Sequence, residues 1–260
     1  MQISISNAIG GGGGNLGSVA PFESSKSFDF DGNTDFITMG VDTLEFNRTT
    51  PFSISVWWYP RQAELSSIIG NTFNGGNYEG YYLWQSQSGA NVNVNCRLRK
   101  SSSHFVQFQG TVNLSLNQWY HLVMTYDGTG VNTGLKLYID GVDSAGTRQG
   151  VMNQDIDWTI NNIPFNLGSR MNGNLPLNGL IDEVGVFDSE LSSSNVTSIY
   201  NSGVPNDLAS LSPVSWWRMG EAANYAGATW TLTDQGSGGN DGTSTTLPAP
   251  PAAPSTNVPT

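Results

Sequence analysis

The chain has 260 residues, a mass of 27.9 kDa and a formal net charge of −11, with 10 Lys and Arg against 21 Asp and Glu, so phosphate backbones and anionic membrane surfaces are poor partners for it. Its one cysteine, Cys96, excludes an internal disulfide and a zinc site built from cysteines. Hydrophobic residues at 37% can fill a core without such staples, while charged residues at only 12% leave a surface built from Asn, Ser, Thr and Gly, as in many all-β proteins that work outside cells.

No stretch approaches 18 consecutive apolar residues, so no transmembrane segment is predicted. The N-terminal Met1 to Ile9, followed by Gly10 to Gly14, has neither a basic n-region nor an apolar h-region and does not read as a signal peptide. Residues 1–26 are predicted as an arm with a glycine-rich linker. A phosphate-cradling loop would need Lys-Ser/Thr after the glycines or a GxGxxG pattern, and Asn15-Leu16-Gly17 supplies neither.

From residue 27 to about 188, short period-two patterns are separated by Gly, Asn and Asp turns, which is the signature of a β-sandwich. Phe52, Ile54 and Val56 alternate with Ser53 and Ser55. Tyr120, Leu122, Met124 and Tyr126 alternate with Trp119, His121, Val123 and Thr125, and since both faces are largely apolar this strand is predicted to lie centrally in a sheet. Leu135, Leu137 and Ile139 form the next face before Asp140-Gly141 turns the chain, and Leu180, Asp182, Val184 and Val186 are predicted to share another. Ser189 to Tyr200 breaks the period: Ser and Asp caps, apolar Leu191, Val196, Ile199 and Tyr200 at helical spacing, and Gly203 as a stop predict one short helix. Val214 to Met219 and Thr229 to Thr233 read as strands, and the proline-rich 247–260 reads as an extended tail with no core of its own.

Six segments occur in a telling order: FDFDGNTDFITMG (Phe28 to Gly40), PFSISVWWYP (Pro51 to Pro60), NQWYHLVMTYDG (Asn117 to Gly128), GLKLYIDG (Gly134 to Gly141), FNLGSRMNG (Phe165 to Gly173) and NGLIDEVGVFDSELSSSNVTSIYNSG (Asn178 to Gly203). Together they resemble the concanavalin A-like jelly roll of the laminin G-like domain family. That resemblance implies an all-β fold of two antiparallel sheets, one of them concave, with a helix near residues 189–200 after the last strand. The glycine-rich opening, the missing signal sequence and the WWRMGE…TLTDQGSGGNDGT segment are similar to versions of this domain in structural proteins of marine bacteriophages. In that family a segment like Ser215 to Gly242 usually precedes the FDG motif, whereas here it follows the helix. Too few residues remain for a second core, so 27–246 is read as one domain, with 211–246 as a permuted closing strand and loop.

Catalysis is not expected. Glucan-cleaving enzymes of this fold carry paired carboxylates on one sheet face, and the acidic cluster on a predicted strand, Asp182-Glu183, consists of neighbours that alternation sends to opposite faces. His121, inside an apolar strand, is read as a packed structural histidine. Asp31, Asn33 and Asp35 alternate through a glycine-containing loop and offer oxygen ligands of the kind a structural Ca²⁺ takes, although the same side chains also serve as ordinary turn caps. The resemblance implies that the IDEV strand lies beside the FDG loop, which would bring Asp182 to the same ion. Tyr78, Tyr81, Tyr82 and Trp84 could stack on sugar rings, but core packing is the expected role of such residues in a sandwich strand.

Two classes of function follow. The first is a non-enzymatic phage virion structural protein, a capsid decoration or tail/fibre component on the virion exterior, packed against other virion proteins and copies of itself and aiding attachment to host-surface glycans. The alternative is a secreted or cell-surface carbohydrate-binding adhesin. Neither involves nucleic acid or membrane as a partner. Because the terminal segments bury little apolar surface of their own, they are expected to order only against neighbouring chains.

Overall fold

The computed structural model describes residues 22–41, 43–72, 79–152 and 163–260. In chain order its elements are β1 (Phe28–Asp31), β2 (Ile37–Thr38), β3 (Phe52–Pro60), β4 (Ser66–Thr72), β5 (Gly80–Ser88), β6 (Asn91–Arg99), β7 (Phe105–Gly110), β8 (Tyr120–Tyr126) and β9 (Leu135–Ile139). Then come β10 (Val142–Asp143), β11 (Gly146–Gln149), β12 (Asn166–Leu167), β13 (Asn178–Phe187), α1 (Ser193–Tyr200), β14 (Ser215–Trp217), β15 (Ala223–Ala226), β16 (Thr229–Leu232) and β17 (Gly242–Ser244). Among the described residues these strands form two antiparallel sheets. One runs β1-β13-β3-β8-β9-β10, with β14 added to β13, and the other runs β11-β7-β6-β5-β4-β12-β2-β17-β16-β15.

Strand alternation builds the sandwich. On β3, Phe52, Ile54, Val56 and Trp58 enter the core between the sheets, as do Tyr120, Leu122, Met124 and Tyr126 of β8. The opposite face of the same sheet carries a second apolar cluster, in which Val196 and Ile199 of α1 pack with Leu191 and Leu208 over Val123, Tyr138 and Phe187. The helix begins where Ser192 accepts the Asn195 N–H at 3.2 Å. It ends at Asn201, whose φ of 48° is the left-handed conformation that terminates helices.

One expected face is corrected. A β-bulge between Asp182 and Gly185 shifts the phase of β13, so Ile181 joins Val184 and Val186 in the core, and Leu180 and Asp182 do not. At the bulge Glu183 has a φ of 44°.

The closing strand has a clear structural reason. β1 pairs only with Asn178 to Ile181 of β13, leaving the second half of β13 as a bare edge. β14 covers it, pairing Trp217 with Val184, Trp216 with Gly185 and Ser215 with Val186. Trp217 enters the main core and donates its indole N–H to the Asn240 carbonyl at 2.8 Å. β15, β16 and β17 then extend the other sheet through β2.

The proline-rich segment docks on its own sandwich. Leu247 and Ala253 are part of the main core, Ser27 and Ser255 exchange two backbone hydrogen bonds, and the Ser27 hydroxyl donates to the Asn257 carbonyl at 2.6 Å. Its order therefore needs no neighbouring chain, and the expectation that it orders only against one loses its basis. The glycine run and most of the N-terminal arm lie outside the described residues. Phe22, where the description begins, stacks on Trp216 at 5.8 Å.

Candidate functional site

On the outer face of the seven-stranded sheet, beside the end of α1, an open cleft of about 520 Å³ is walled by four aromatic rings, Trp57, Tyr59, Trp119 and Tyr200. Each has a distinct structural origin. Trp57 and Tyr59 are the odd-numbered residues of β3, which alternation turns away from the core-facing Val56 and Trp58. Trp119 stands at the start of β8, edge-on to Tyr59 with ring centres 5.4 Å apart. Tyr200 closes α1 and stacks on Trp57 at 6.0 Å and 25°.

Polar groups ring these aromatics. Asp140 and Gly141 form the two-residue β9–β10 turn, with φ of 51° and 78°, the pattern a type I′ hairpin requires of its two central residues. That turn holds the Asp140 carboxylate at the cleft, where it accepts the His121 backbone N–H at 2.8 Å. Burial pushes the Asp140 carboxyl above its ordinary value, against that hydrogen bond. Asn117, Gln118 and Ser202 contribute further donors and acceptors, and Asn257 of the docked tail accepts the Trp119 indole N–H at 3.1 Å. A volume of this size, apolar rings and a few convergent polar groups are the usual composition of a small-molecule site.

Beneath the rings lies His121, packed as expected at 1% exposure. Its Nε2 is 2.8 Å from the Ser55 hydroxyl, its ring stacks on Tyr200 at 6.0 Å, and burial holds its pKa down to about 3. The imidazole is therefore neutral at physiological pH and serves as a floor for Trp57 and Tyr200.

The four residues expected to share a calcium ion fall into two places. Asp31 pairs with Asn178, so Asp182 lies four residues farther along β13, roughly 13 Å away. The Asp31 loop is closed by its own hydrogen bonds: Asp31 Oδ1 accepts the N–H of Asn33 at 2.8 Å and of Thr34 at 3.2 Å, and Asp35 Oδ2 accepts the N–H of Asp31 at 3.0 Å. Burial pushes the Asp35 carboxyl up to about 6 against that last bond. These are the turn-capping contacts the loop composition also allowed, and the four residues do not fit a single ion.

Asp182 meets other carboxylates instead. Oxygens of Asp182, Glu183 and Glu221 lie within 4.8 Å of one another. The bulge is the reason, since Glu183 at positive φ leaves the alternation that would have sent it to the opposite face. This separation resembles that of a retaining glycosidase pair. Yet Asp182 is 0% and Glu183 2% exposed, and their oxygens are already engaged. Ser24 donates to Asp182 at 2.6 Å, Trp216 to Glu183 at 2.7 Å and Arg218 to Glu183 at 3.2 Å, while Glu221 accepts the backbone N–H groups of Ser25 and Lys26. The cluster ties the segment before β1 to the closing strand, and substrate has no access to it.

The aromatic group singled out from the sequence has mixed placement. Tyr81 is in the core, and its hydroxyl donates to the Leu44 carbonyl at 2.6 Å. Tyr82 and Trp84 face the other way but are buried beneath the Arg97 guanidinium, 5.9 and 5.5 Å from their ring centres. Tyr78 lies outside the described residues. The cleft aromatics were missed, although one signal was present: β3 carries aromatics at both parities, Trp58 on one face and Trp57 and Tyr59 on the other, so one set had to lie outside the core.

Among the curated proteins none matches this sequence. Among solved structures, a putative carbohydrate binding protein from Bacteroides ovatus superposes with a TM-score of 0.57 at 18% identity, over 86% of this chain and 59% of that one. The chain thus spans well under two thirds of that protein's length. A heptameric SAP-like pentraxin from Limulus polyphemus superposes with a TM-score of 0.50 at 14% identity, over 68% of this chain and 82% of that one. At such identities these likenesses speak for the fold alone. The family profile described as the concanavalin A-like lectin/glucanases superfamily, of laminin G type, matches residues 31–197, and with the two-sheet sandwich observed here the chain belongs to that superfamily.

Proposed function

We propose that this domain is a carbohydrate-binding module, a binding domain rather than a hydrolase, and that the Trp57–Tyr59–Trp119–Tyr200 cleft is where it takes sugar. The carrying observation is the cleft itself. The rings of Tyr59, Trp119 and Tyr200 can stack on the apolar C–H faces of a pyranose, with Trp57, 3% exposed, packed behind Tyr200, while Asp140, Asn117, Gln118 and Asn257 hydrogen-bond its hydroxyls, a division of labour that suits sugars. The Bacteroides ovatus protein, described as a putative carbohydrate binding protein, is consistent with this reading.

A glycan array followed by calorimetry on the best ligand tests it. Trp119 is only partly buried and lies outside the main core, so Trp119→Ala should leave the fold intact and weaken binding at least tenfold, about 1.4 kcal/mol. An unchanged affinity would place the sugar elsewhere, and failure to bind any glycan would remove the reading. Display is a separate matter. The likeness to phage structural proteins supports a place on the virion exterior, and finding the chain in purified particles by mass spectrometry, rather than free in culture supernatant, is the result that reading requires.

A further inference from the structure

We propose that the aromatic cleft is one half of a longer groove, and that the groove binds an extended neutral oligosaccharide with Tyr200 and Asp140 as the ridge between two subsites. This rests on the carbohydrate reading of the first cleft.

A second open cleft, of about 500 Å³, lies on the far side of that ridge. The two share Asp140, Tyr200 and Ser202 in their walls, so they adjoin at those residues. The second is built from the other faces of the same elements: Val142 just past the hairpin turn, Thr197 and Ser198 on α1, and Asn206 beyond it. Val142 is 68% exposed, an apolar surface that a sugar ring would cover, and Asn206 is fixed at the cleft because its amide donates to the Ser198 carbonyl at 3.1 Å while its oxygen accepts the Asp207 N–H at 2.9 Å. Two clefts of similar size on either side of a tyrosine are the arrangement a chain of linked rings needs.

The charge of the groove selects among sugars. Among the side chains of the described residues lining the two clefts, Asp140 alone carries a formal charge, and no lysine or arginine lines either one. A carboxylate or sulfate on the ligand would meet Asp140 and a protein of net charge −11 with no cation to offset them. Hydroxyl-rich neutral rings meet only hydrogen-bonding partners.

Calorimetry with neutral glucan, mannan and galactan oligosaccharides of one to six units, and with oligogalacturonides of matched length, tests the proposal. The expected result is an affinity for at least one neutral series that rises tenfold or more between two and six units, exceeds that for the charged series, and is lost in Trp119→Ala. Ser198→Trp, which fills the second cleft from an exposed helix position, should bring the ratio of hexamer to dimer affinity close to one. Equal affinities for dimer and hexamer, or a ratio that Ser198→Trp leaves intact, would overturn the two-subsite groove while the Trp119-dependent first cleft stands. Tighter binding of the galacturonides would overturn its neutrality. Trp119→Ala without effect on any of these ligands would instead remove the reading of the first cleft, and the groove with it.

Discussion

The carboxylates of Asp182 and Glu183 lie within 4.8 Å of each other although the two residues are neighbours on one strand. Burial raises both pKa values, Glu183 to about 7 even with Arg218 and Trp216 opposing the rise, and Asp182 well above the ordinary carboxylate range, with the Glu183 charge adding to the burial. In the unfolded chain both return to ordinary values near 4.

The sign of the pH dependence follows. Above about 4.5 the folded state binds more protons than the unfolded state, so these carboxyls favour folding in mild acid and that contribution is lost as pH rises, for Glu183 through about 7. Asp182→Asn removes one buried charge at nearly constant shape. It should raise the melting temperature at pH 8 by a few degrees, given roughly 2 to 4 °C per kcal/mol at this size, and leave it nearly unchanged at pH 4.5. Thermal melts across that range are the check, and a variant less stable at pH 8 would show that the ionised carboxylate is itself a favourable partner of the latch.

His121 acts in the opposite sense. Its folded pKa of about 3 lies below the ordinary 6.5, so as pH falls from 6.5 toward 3 the unfolded state takes up a proton that the folded state refuses, and stability declines. The two slopes oppose each other between 4.5 and 6.5, which makes the difference between variant and wild type the informative quantity. His121→Gln should cost stability at pH 8, where the imidazole packs on Tyr200, and less at pH 4. Titration of the His121 ring by NMR above pH 5 in the folded protein would contradict the burial.

Much of this architecture is legible in the sequence because it rests on local rules. Period-two patterns mark β3, β8 and β9, capping residues mark α1, and the Trp216-Trp217 pair marks a strand that had to close something. The bulge at Glu183 is not legible, because no glycine or turn residue marks a positive φ there, and the side chains that meet Glu183, Trp216 and Arg218, lie more than 30 residues away in sequence. The cleft escapes for a related reason. Its walls come from β3, β8, a hairpin turn, a helix end and the tail, and only the register between them makes neighbours of Trp57, Asp140 and Tyr200.

The two closing-strand tryptophans should differ in what their loss does. Strand alternation by itself would leave one of them facing solvent or a partner, but Trp216 instead joins the second apolar cluster under Phe22. Trp217→Ala opens a cavity in the main core and should cost about 3 to 5 kcal/mol. Trp216→Phe keeps an aromatic ring but strands Glu183 Oε2 without its donor, at roughly 1 to 3 kcal/mol for a buried acceptor. Denaturant titration separates the two, and a Trp217→Ala domain of unchanged midpoint would mean that β14 is an appendage to the sandwich.

The tail offers the last test, because its order has a cause within the chain. Leu247 and Ala253 are buried in the main core, Trp230 donates its indole N–H to the Pro248 carbonyl at 2.9 Å, and Ser255 exchanges backbone hydrogen bonds of 3.0 and 2.8 Å with Ser27. Deleting residues 248–260 would strip those partners from Ser27 and Trp230, remove Ala253 from the core and take Asn257 from the cleft. The shortened protein should melt several degrees lower and bind sugar more weakly than the full chain. Independently, the Ser27 and Ser255 amides should exchange slowly in a sample shown to be monomeric. Fast exchange at both positions in the monomer, with protection appearing only on assembly, would mean that neighbouring chains supply the order after all and would restore the case for a repeating particle.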